Sequence, residues 1–303
     1  MTPRLPPRKA LLLPWGLACV LATCLSCLAA SAALAQAEPP AGDASPSQPA
    51  KPAAATQPLW ELGLGAAWVR MPHYRGSDQN HQWLLPVPYA VYRGQIFRAT
   101  RDGARAVLLD SQRVDVDISA SGSAPTRSRD NRARSGMADL PATLEVGPNL
   151  NANLARGEGW KLDLRLPLHA VFTVQARARA IGTTFSPVLN LDAQVAGWNL
   201  GLQGGPRWAS GRYHGFFYDV AAADATAARP AYSSSGGNAG WRFTTSVSRR
   251  LGAMWVGGFV RADSLEGARF ADSPLVTQRR NVSVGLAMSW VLKTSDERVA
   301  RQD

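Results

Sequence analysis

The chain has 303 residues, of which 46% are apolar and 18% charged, and its formal net charge is +11. The charged share lies below the roughly 25% of an average soluble domain, and the apolar share is too high for a disordered chain. Beyond the N-terminus no apolar run approaches the ~20 residues of a membrane helix; this excludes a polytopic helical membrane protein but not a membrane β-barrel, whose strands are short and alternate.

Residues 1–35 read as a cleaved secretory signal. Arg4, Arg8 and Lys9 give a positive start, an apolar stretch runs from Ala10 to Leu28, and Ala33-Leu34-Ala35 is a small-x-small cleavage site. A lipoprotein signal with Leu21-Ala22-Thr23-Cys24 as its acylation box is the rival reading. Thr is bulky just before an acylated Cys, and the cleavage site lies downstream. Cys19, Cys24 and Cys27 all fall inside this segment, so the exported chain is expected to use no disulfide. Residues 36–59 are rich in Pro and Ala and read as an extended periplasmic tail.

From Trp60 the dominant period is two. In Trp60–Arg70, Trp60, Leu62, Leu64, Ala66 and Trp68 oppose Glu61, Gly63, Gly65 and Ala67. The same alternation recurs in Val114–Ser123, Trp160–Thr173 and Arg280–Leu292. Twelve strands are expected: 60–70, 81–92, 95–100, 104–110, 113–123, 140–150, 160–174, 184–196, 198–208, 239–250, 253–263 and 279–292. Ten is the alternative, if the hairpin 95–110 is not in the wall. A soluble sandwich also alternates, but these strands are longer than the usual ~5–6 residues and match the ~9–11 of barrel strands. Aromatic residues stand near the ends of the apolar faces, where rings suit the bilayer interface. The opposite faces carry Asp, Arg, Asn, Gln, Ser and Gly, which could not form a dry core without costly desolvation. Long and short connections mostly alternate, with 151–159 as the longest of the short set. The fold class is therefore all-β: a transmembrane antiparallel up-and-down barrel over 60–292, with a polar tail at 293–303 and the termini in the periplasm.

These segments resemble the MipA/OmpV family of outer-membrane proteins. The resemblance rests on Tyr74-Arg75-Gly76-Ser77-Asp78, Leu85-Pro86-Val87-Pro88-Tyr89, Tyr92-Arg93-Gly94, Gly136-Met137-Ala138-Asp139-Leu140 and Glu145-Val146-Gly147-Pro148. It continues through Gly205-Pro206-Arg207-Trp208, Phe217-Tyr218-Asp219-Val220, Arg229-Pro230-Ala231-Tyr232, Leu265-Glu266-Gly267-Ala268 and Asp272-Ser273-Pro274-Leu275-Val276. No one segment is specific; their number and order carry the match. The resemblance implies a non-enzymatic barrel in the outer membrane. It also implies a scaffold that joins a murein lytic transglycosylase to a peptidoglycan synthase in cell-wall growth, with porin-like and adhesin-like roles as alternatives.

The residues themselves suggest little catalysis. His73 and His81 flank one loop, and no spacing suits a metal. A serine hydrolase in a barrel wall needs Ser and His side by side on the lipid face, whereas His169 falls on the polar face, and there is no G-x-S-x-G. Asp115, Asp117, Asp163, Arg165, Asp192, Arg207 and Arg242 are expected in the lumen, either lining a pore or filling it with ion pairs. Arg127, Arg129, Arg132 and Arg134 form a basic outer loop suited to lipopolysaccharide phosphates, or simply solvated. Tyr213, Phe216, Phe217, Tyr218 and Tyr232 in the longest outer loop are expected to fold over or into the mouth. No cofactor, metal or nucleic-acid partner is expected.

Overall fold

Strict alternation places side chains on opposite faces of a sheet, and a sheet that is apolar on one whole face and polar on the other satisfies both by closing on itself in lipid. The computed structural model describes residues 56–94, 97–100, 103–111 and 113–300. The signal segment 1–35 and nearly all of the tail 36–59 lie outside the described residues.

The wall begins with β2 (Trp60–Pro72), β3 (Asn80–Arg93), β4 (Phe97–Thr100), β5 (Gly103–Asp110), β6 (Val114–Ser123), β7 (Thr143–Gly157) and β8 (Trp160–Thr173). It continues with β9 (Ala180–Phe185), β10 (Val188–Val195), β11 (Trp198–Ala209), β12 (Gly237–Leu251), β13 (Met254–Ser264) and β14 (Arg280–Thr294). Short β1 (Thr56–Pro58) and β15 (Arg298–Ala300) pair with each other as a separate two-stranded ribbon. Consecutive wall strands pair antiparallel, apart from β9 and β10, and β14 pairs with β2 to close the barrel. The expected strand 184–196 is longer and interrupted: β9 and β10 flank Ser186-Pro187, and both pair with β8 and with β11. Pro187 has no N–H for the ladder, so the strand breaks there. Counting β9 and β10 as one gives twelve wall strands among the described residues, and the hairpin β4–β5 is part of the wall.

One connection is not as expected. The nine-residue turn 151–159 is absent, because β7 runs on to Gly157 and only Glu158-Gly159 joins it to β8. Asn151 and Asn153 resemble turn residues, but both point inward, where Asn151 donates to Asp117 at 2.8 Å and Asn153 to Asp163 at 3.2 Å. The tight turns, such as 158–159, 196–197 and 252–253, share the end that carries the ribbon β1–β15. The long loops 73–79, 124–142, 210–236 and 265–279 share the other end. In outer-membrane barrels tight turns lie on the periplasmic side and long loops outside, which assigns the loop end to the exterior.

The outward face is apolar and open: Leu84, Leu168, Val282 and Leu286 are 75%, 52%, 58% and 62% exposed. Soluble proteins do not leave so continuous an apolar surface to water. Exposed rings mark both interfaces, with Phe185, Trp208, Trp241 and Phe243 near the loops and Trp160, Trp198 and Trp290 near the turns. On β8 the inward positions Asp163, His169, Val171 and Thr173 are buried. This register makes a direct prediction. Leu164→Arg puts a cation into hydrocarbon and should destabilise insertion by about 2–4 kcal/mol near the midplane. Arg165→Leu, on the inward face beside Asp192, should cost less. Denaturant titration of both variants in lipid vesicles checks it, and equal effects or the reverse order would contradict the face assignment.

Candidate functional site

The long outer loops converge on a buried cluster above the barrel mouth. Helix α1 (Gly211–Tyr218) starts at Ser210, whose hydroxyl accepts from the Tyr213 N–H at 3.4 Å. It lies against Gly182 of β9, where a Cβ would stand 2.2 Å from Ser210 Oγ. Phe217 and Tyr218 from this helix pack with Tyr74, Leu140, Val220, Leu265, Ala268, Phe270 and Leu275. Tyr218 stacks on Phe270 with ring centroids 3.7 Å apart. Four loops thus share one core; of the five rings expected from the sequence, Phe217 and Tyr218 lie within it and Tyr213, Phe216 and Tyr232 pack around its edge.

Polar groups lock this cap. Tyr74 donates to the Leu275 carbonyl at 2.8 Å, Tyr218 to the Arg75 carbonyl at 2.8 Å, and Ser273 to the Tyr218 carbonyl at 2.7 Å. Burial pushes Tyr74 and Tyr213 up to about 12 and Tyr218 higher still, so all three hydroxyls remain protonated. Asn281 at the top of β14 accepts from the Gly76 N–H at 2.7 Å and donates to the Ser77 carbonyl at 2.8 Å. Gly76 has φ +99°, which a side chain would strain. Arg229 donates to the carbonyls of Ala133, Ser135 and Asp224, and Val220 bridges Tyr232. Arg279 donates to Asp272 at 3.1 Å.

Most of the motif positions therefore meet in one place: Tyr74, Gly76, Ser77, Gly136, Met137, Tyr218, Val220, Arg229, Pro230, Tyr232, Gly267, Ala268, Asp272, Ser273, Pro274 and Leu275 all lie in the four capping loops. Pro88, Tyr89, Gly94 and Gly147 do not. Gly147 lies in the wall, where a Cβ would stand 2.1 Å from the Leu168 carbonyl oxygen. Ser119 on β6 and His169 on β8 reach each other across it, Oγ to Nε2, at 2.9 Å. Glu145 lies 3.9 Å from His169 Nδ1, too far for a hydrogen bond, and accepts from Thr184 at 3.2 Å. This polar chain spans four strands; the strand alternation placed His169 inward, but nothing in the sequence pairs it with Ser119.

Most of the inward charges find partners inside, but the side chains of Arg207 and Arg261 make no ion pair or hydrogen bond among the described residues. Asp263 accepts from Arg75 at 2.8 Å and from Arg242 at 2.9 Å. Glu61 accepts from Arg93 at 2.9 Å, from Arg250, and from Tyr89 at 3.2 Å. Asp163 pairs with Lys161 at 3.3 Å and Asp192 with Arg165 at 3.4 Å. Asp117 accepts from Asn151, Asp115 accepts from the Ser111 N–H at 3.3 Å, and Arg207 points inward from a β11 bulge. Glu61 and Asp263, which anchor the two arginine clusters, were not singled out in the sequence.

The basic loop divides. Arg127, Arg129 and Arg132 are exposed, and Arg132 pairs with Asp78 at 2.7 Å. Arg134 does not belong with them: it is 4% exposed, donates to the Phe217 carbonyl at 2.9 Å and lies over the Tyr74 ring. It is a strut of the cap and cannot meet lipopolysaccharide. The turn-like local sequence hides this, because the partners that seat it in the cap, Phe217 and Tyr74, are 60 or more residues away.

His73 and His81 stack with centroids 3.8 Å apart beneath loop 124–142. His73 Nδ1 lies 3.2 Å from Asn131 Nδ2, and Thr126 donates to the His73 carbonyl at 2.6 Å. Burial lowers the His73 pKa, against the weaker upward pull of Asp130 and Asp78. A base whose folded pKa is depressed lets the unfolded form take the proton first, so stability is present above the ordinary ~6.5 and is lost as pH falls below it. Amide exchange in 124–142, corrected for intrinsic rates, should therefore accelerate between pH 7.5 and 5 while the strands stay protected. A His73→Gln, His81→Gln double variant should abolish that acceleration. An unchanged acceleration in the variant would contradict it.

The family model described as "MltA-interacting protein MipA" matches residues 64–292. Among curated proteins, none matches this sequence. Among solved structures, outer membrane phospholipase A from Escherichia coli is similar at 8% identity and TM-score 0.31, over 76% of this chain and 92% of that one. A Pseudomonas aeruginosa FadL homologue is similar at 6% identity and TM-score 0.31, over 77% and 90%. The P. putida toluene transporter TodX is similar at 10% identity and TM-score 0.26, over 82% and 69%. Scores this low carry no inference about the present chain. The matched family model spans nearly the whole wall and all four capping loops, and the chain belongs to the MipA family of outer-membrane barrel proteins.

Proposed function

We propose that this barrel serves as a membrane anchor that docks a murein lytic transglycosylase, and through it a peptidoglycan synthase, from the periplasmic side. The observation that carries the reading is a barrel capped by its own outer loops. Asp263 and Glu61 pair with inward arginines below the cap, and the mouth is covered by a buried core. Such a barrel offers surfaces rather than a path. The family's description, as a protein that interacts with a transglycosylase, names a partner class that lives in the periplasm.

The tight turns offer little area, and a standard interface takes about 800 Å² per partner. With 151–159 mostly strand, the candidate docking surface contracts to the ribbon β1–β15 and the tail 36–55 that precedes it. The ribbon is tied to the wall: Leu59 donates to the Glu297 carbonyl at 2.9 Å, and Ser295 to the Trp60 carbonyl at 3.0 Å. Its position at the rim gives a partner a fixed base beside residues 36–55, and any ordering of chain on contact carries an entropic cost that keeps affinity modest. On the exterior, Arg127 and Arg129 are the side chains we assign to lipopolysaccharide phosphates.

Affinity capture of murein enzymes from detergent extract tests the docking reading. Deleting 38–58 together with 298–303 should weaken capture at least fivefold, while unboiled protein still migrates as a folded barrel. Arg127→Glu with Arg129→Glu should leave capture intact. If the exterior changes abolish capture and the periplasmic deletion does nothing, a surface receptor or adhesin role replaces the scaffold.

A further inference from the structure

The lipid-facing wall is not uniformly filled. Across β12, β13, β14, β2 and β3, the outward row Val247, Gly258, Leu286, Trp68 and Leu84 is joined by direct cross-strand pairs. The next row toward the periplasm is Arg249, Val256, Met288, Ala66 and Pro86. Gly258 and Ala66 stand among larger neighbours, so the wall is hollowed into a groove of about 450 Å³ that Trp198 also lines. The groove is almost wholly apolar and lies at bilayer depth, where hydrocarbon is the medium.

A cation stands at its periplasmic rim. Arg249 faces outward beside Val256, and its guanidinium lies 5.4 Å from the centroid of the Trp198 ring. Trp198 follows the turn 196–197 and Arg249 precedes the turn 252–253, so both sit at headgroup level of the inner leaflet. Arg250, next in sequence, turns inward to Glu61. Arg249 makes no ion pair or hydrogen bond among the described residues, and its five donors are open to an anion. Stacking on Trp198 holds the guanidinium plane in place without neutralising it.

We propose that this groove and Arg249 together bind one phospholipid of the inner leaflet, its acyl chain over Gly258 and Ala66 and its phosphate on the Arg249 guanidinium. The apolar hollow recognises the chain by dispersion contacts with its walls. The planar guanidinium recognises phosphate through paired charge-assisted hydrogen bonds. Neither element alone is selective; their spacing along one outward face fits a molecule with a chain below an anionic head.

Native mass spectrometry of the delipidated barrel with dioleoyl phosphatidylglycerol tests this. The unmodified protein should retain one lipid. Arg249→Gln, which leaves the groove open, and Ala66→Phe, which fills it, should each lower the lipid-bound fraction at least fivefold. Dioleoylglycerol, with the same chains and no phosphate, should bind at least fivefold more weakly to the unmodified protein. Gel migration before boiling confirms that each variant is folded; if Ala66→Phe does not insert, Val256→Phe takes its place. Absence of a retained lipid, undiminished retention in either folded variant, or equal retention of dioleoylglycerol would overturn the proposal.

Discussion

The structure depends on one seam, the pairing of β14 with β2. A sheet in hydrocarbon cannot leave an edge, because each unsatisfied backbone group there costs several kcal/mol. The chain meets this by bringing its last wall strand back to its first, from Val284 opposite Arg70 to Thr294 opposite Glu61. The seam is close. A Cβ at Gly63 would lie 2.0 Å from the Trp290 carbonyl oxygen, and one at Gly65 would lie 2.2 Å from that of Met288. Glycine is what lets the strands meet there.

Closure sets the terms for everything inside. Once the inward faces are enclosed, their charges must find partners across the lumen or carry an unpaired desolvation cost. Asp263 holds Arg75 and Arg242 near the mouth, and Glu61 holds Arg93 and Arg250 near the periplasmic rim. Arg75 comes from the first outer loop, so the upper cluster also ties cap to wall. Tyr218 binds the Arg75 carbonyl, and the cap core continues from there. The upper cluster and the cap are therefore one connected network.

What the sequence made legible was whatever has a short period. The alternation in Trp160–Thr173 assigns each residue to its face, and the two-residue turns follow from Gly159, Gly197 and Gly252, all with positive φ. What it hid was non-local. Arg134 reads as one of four loop arginines until Phe217, 83 residues on, supplies its partner. Asn151 and Asn153 read as a turn because inward polar residues of a barrel strand look like loop residues. The ribbon β1–β15 has only three residue pairs, too few for any periodicity to register. The motif segments were recognisable one by one, but only the fold places Tyr74, Tyr218 and Leu275 in a single core.

The central claim, that the lumen and mouth are closed by the protein's own side chains, is tested most directly by single-channel recording in planar bilayers. The intact barrel should give little or no stable conductance. Asp263→Ala with Tyr218→Ala, which cuts the link between lumen network and cap, should produce discrete openings in a folded barrel. Large, stable steps from the unmodified protein would contradict the account and make this member of the family a channel.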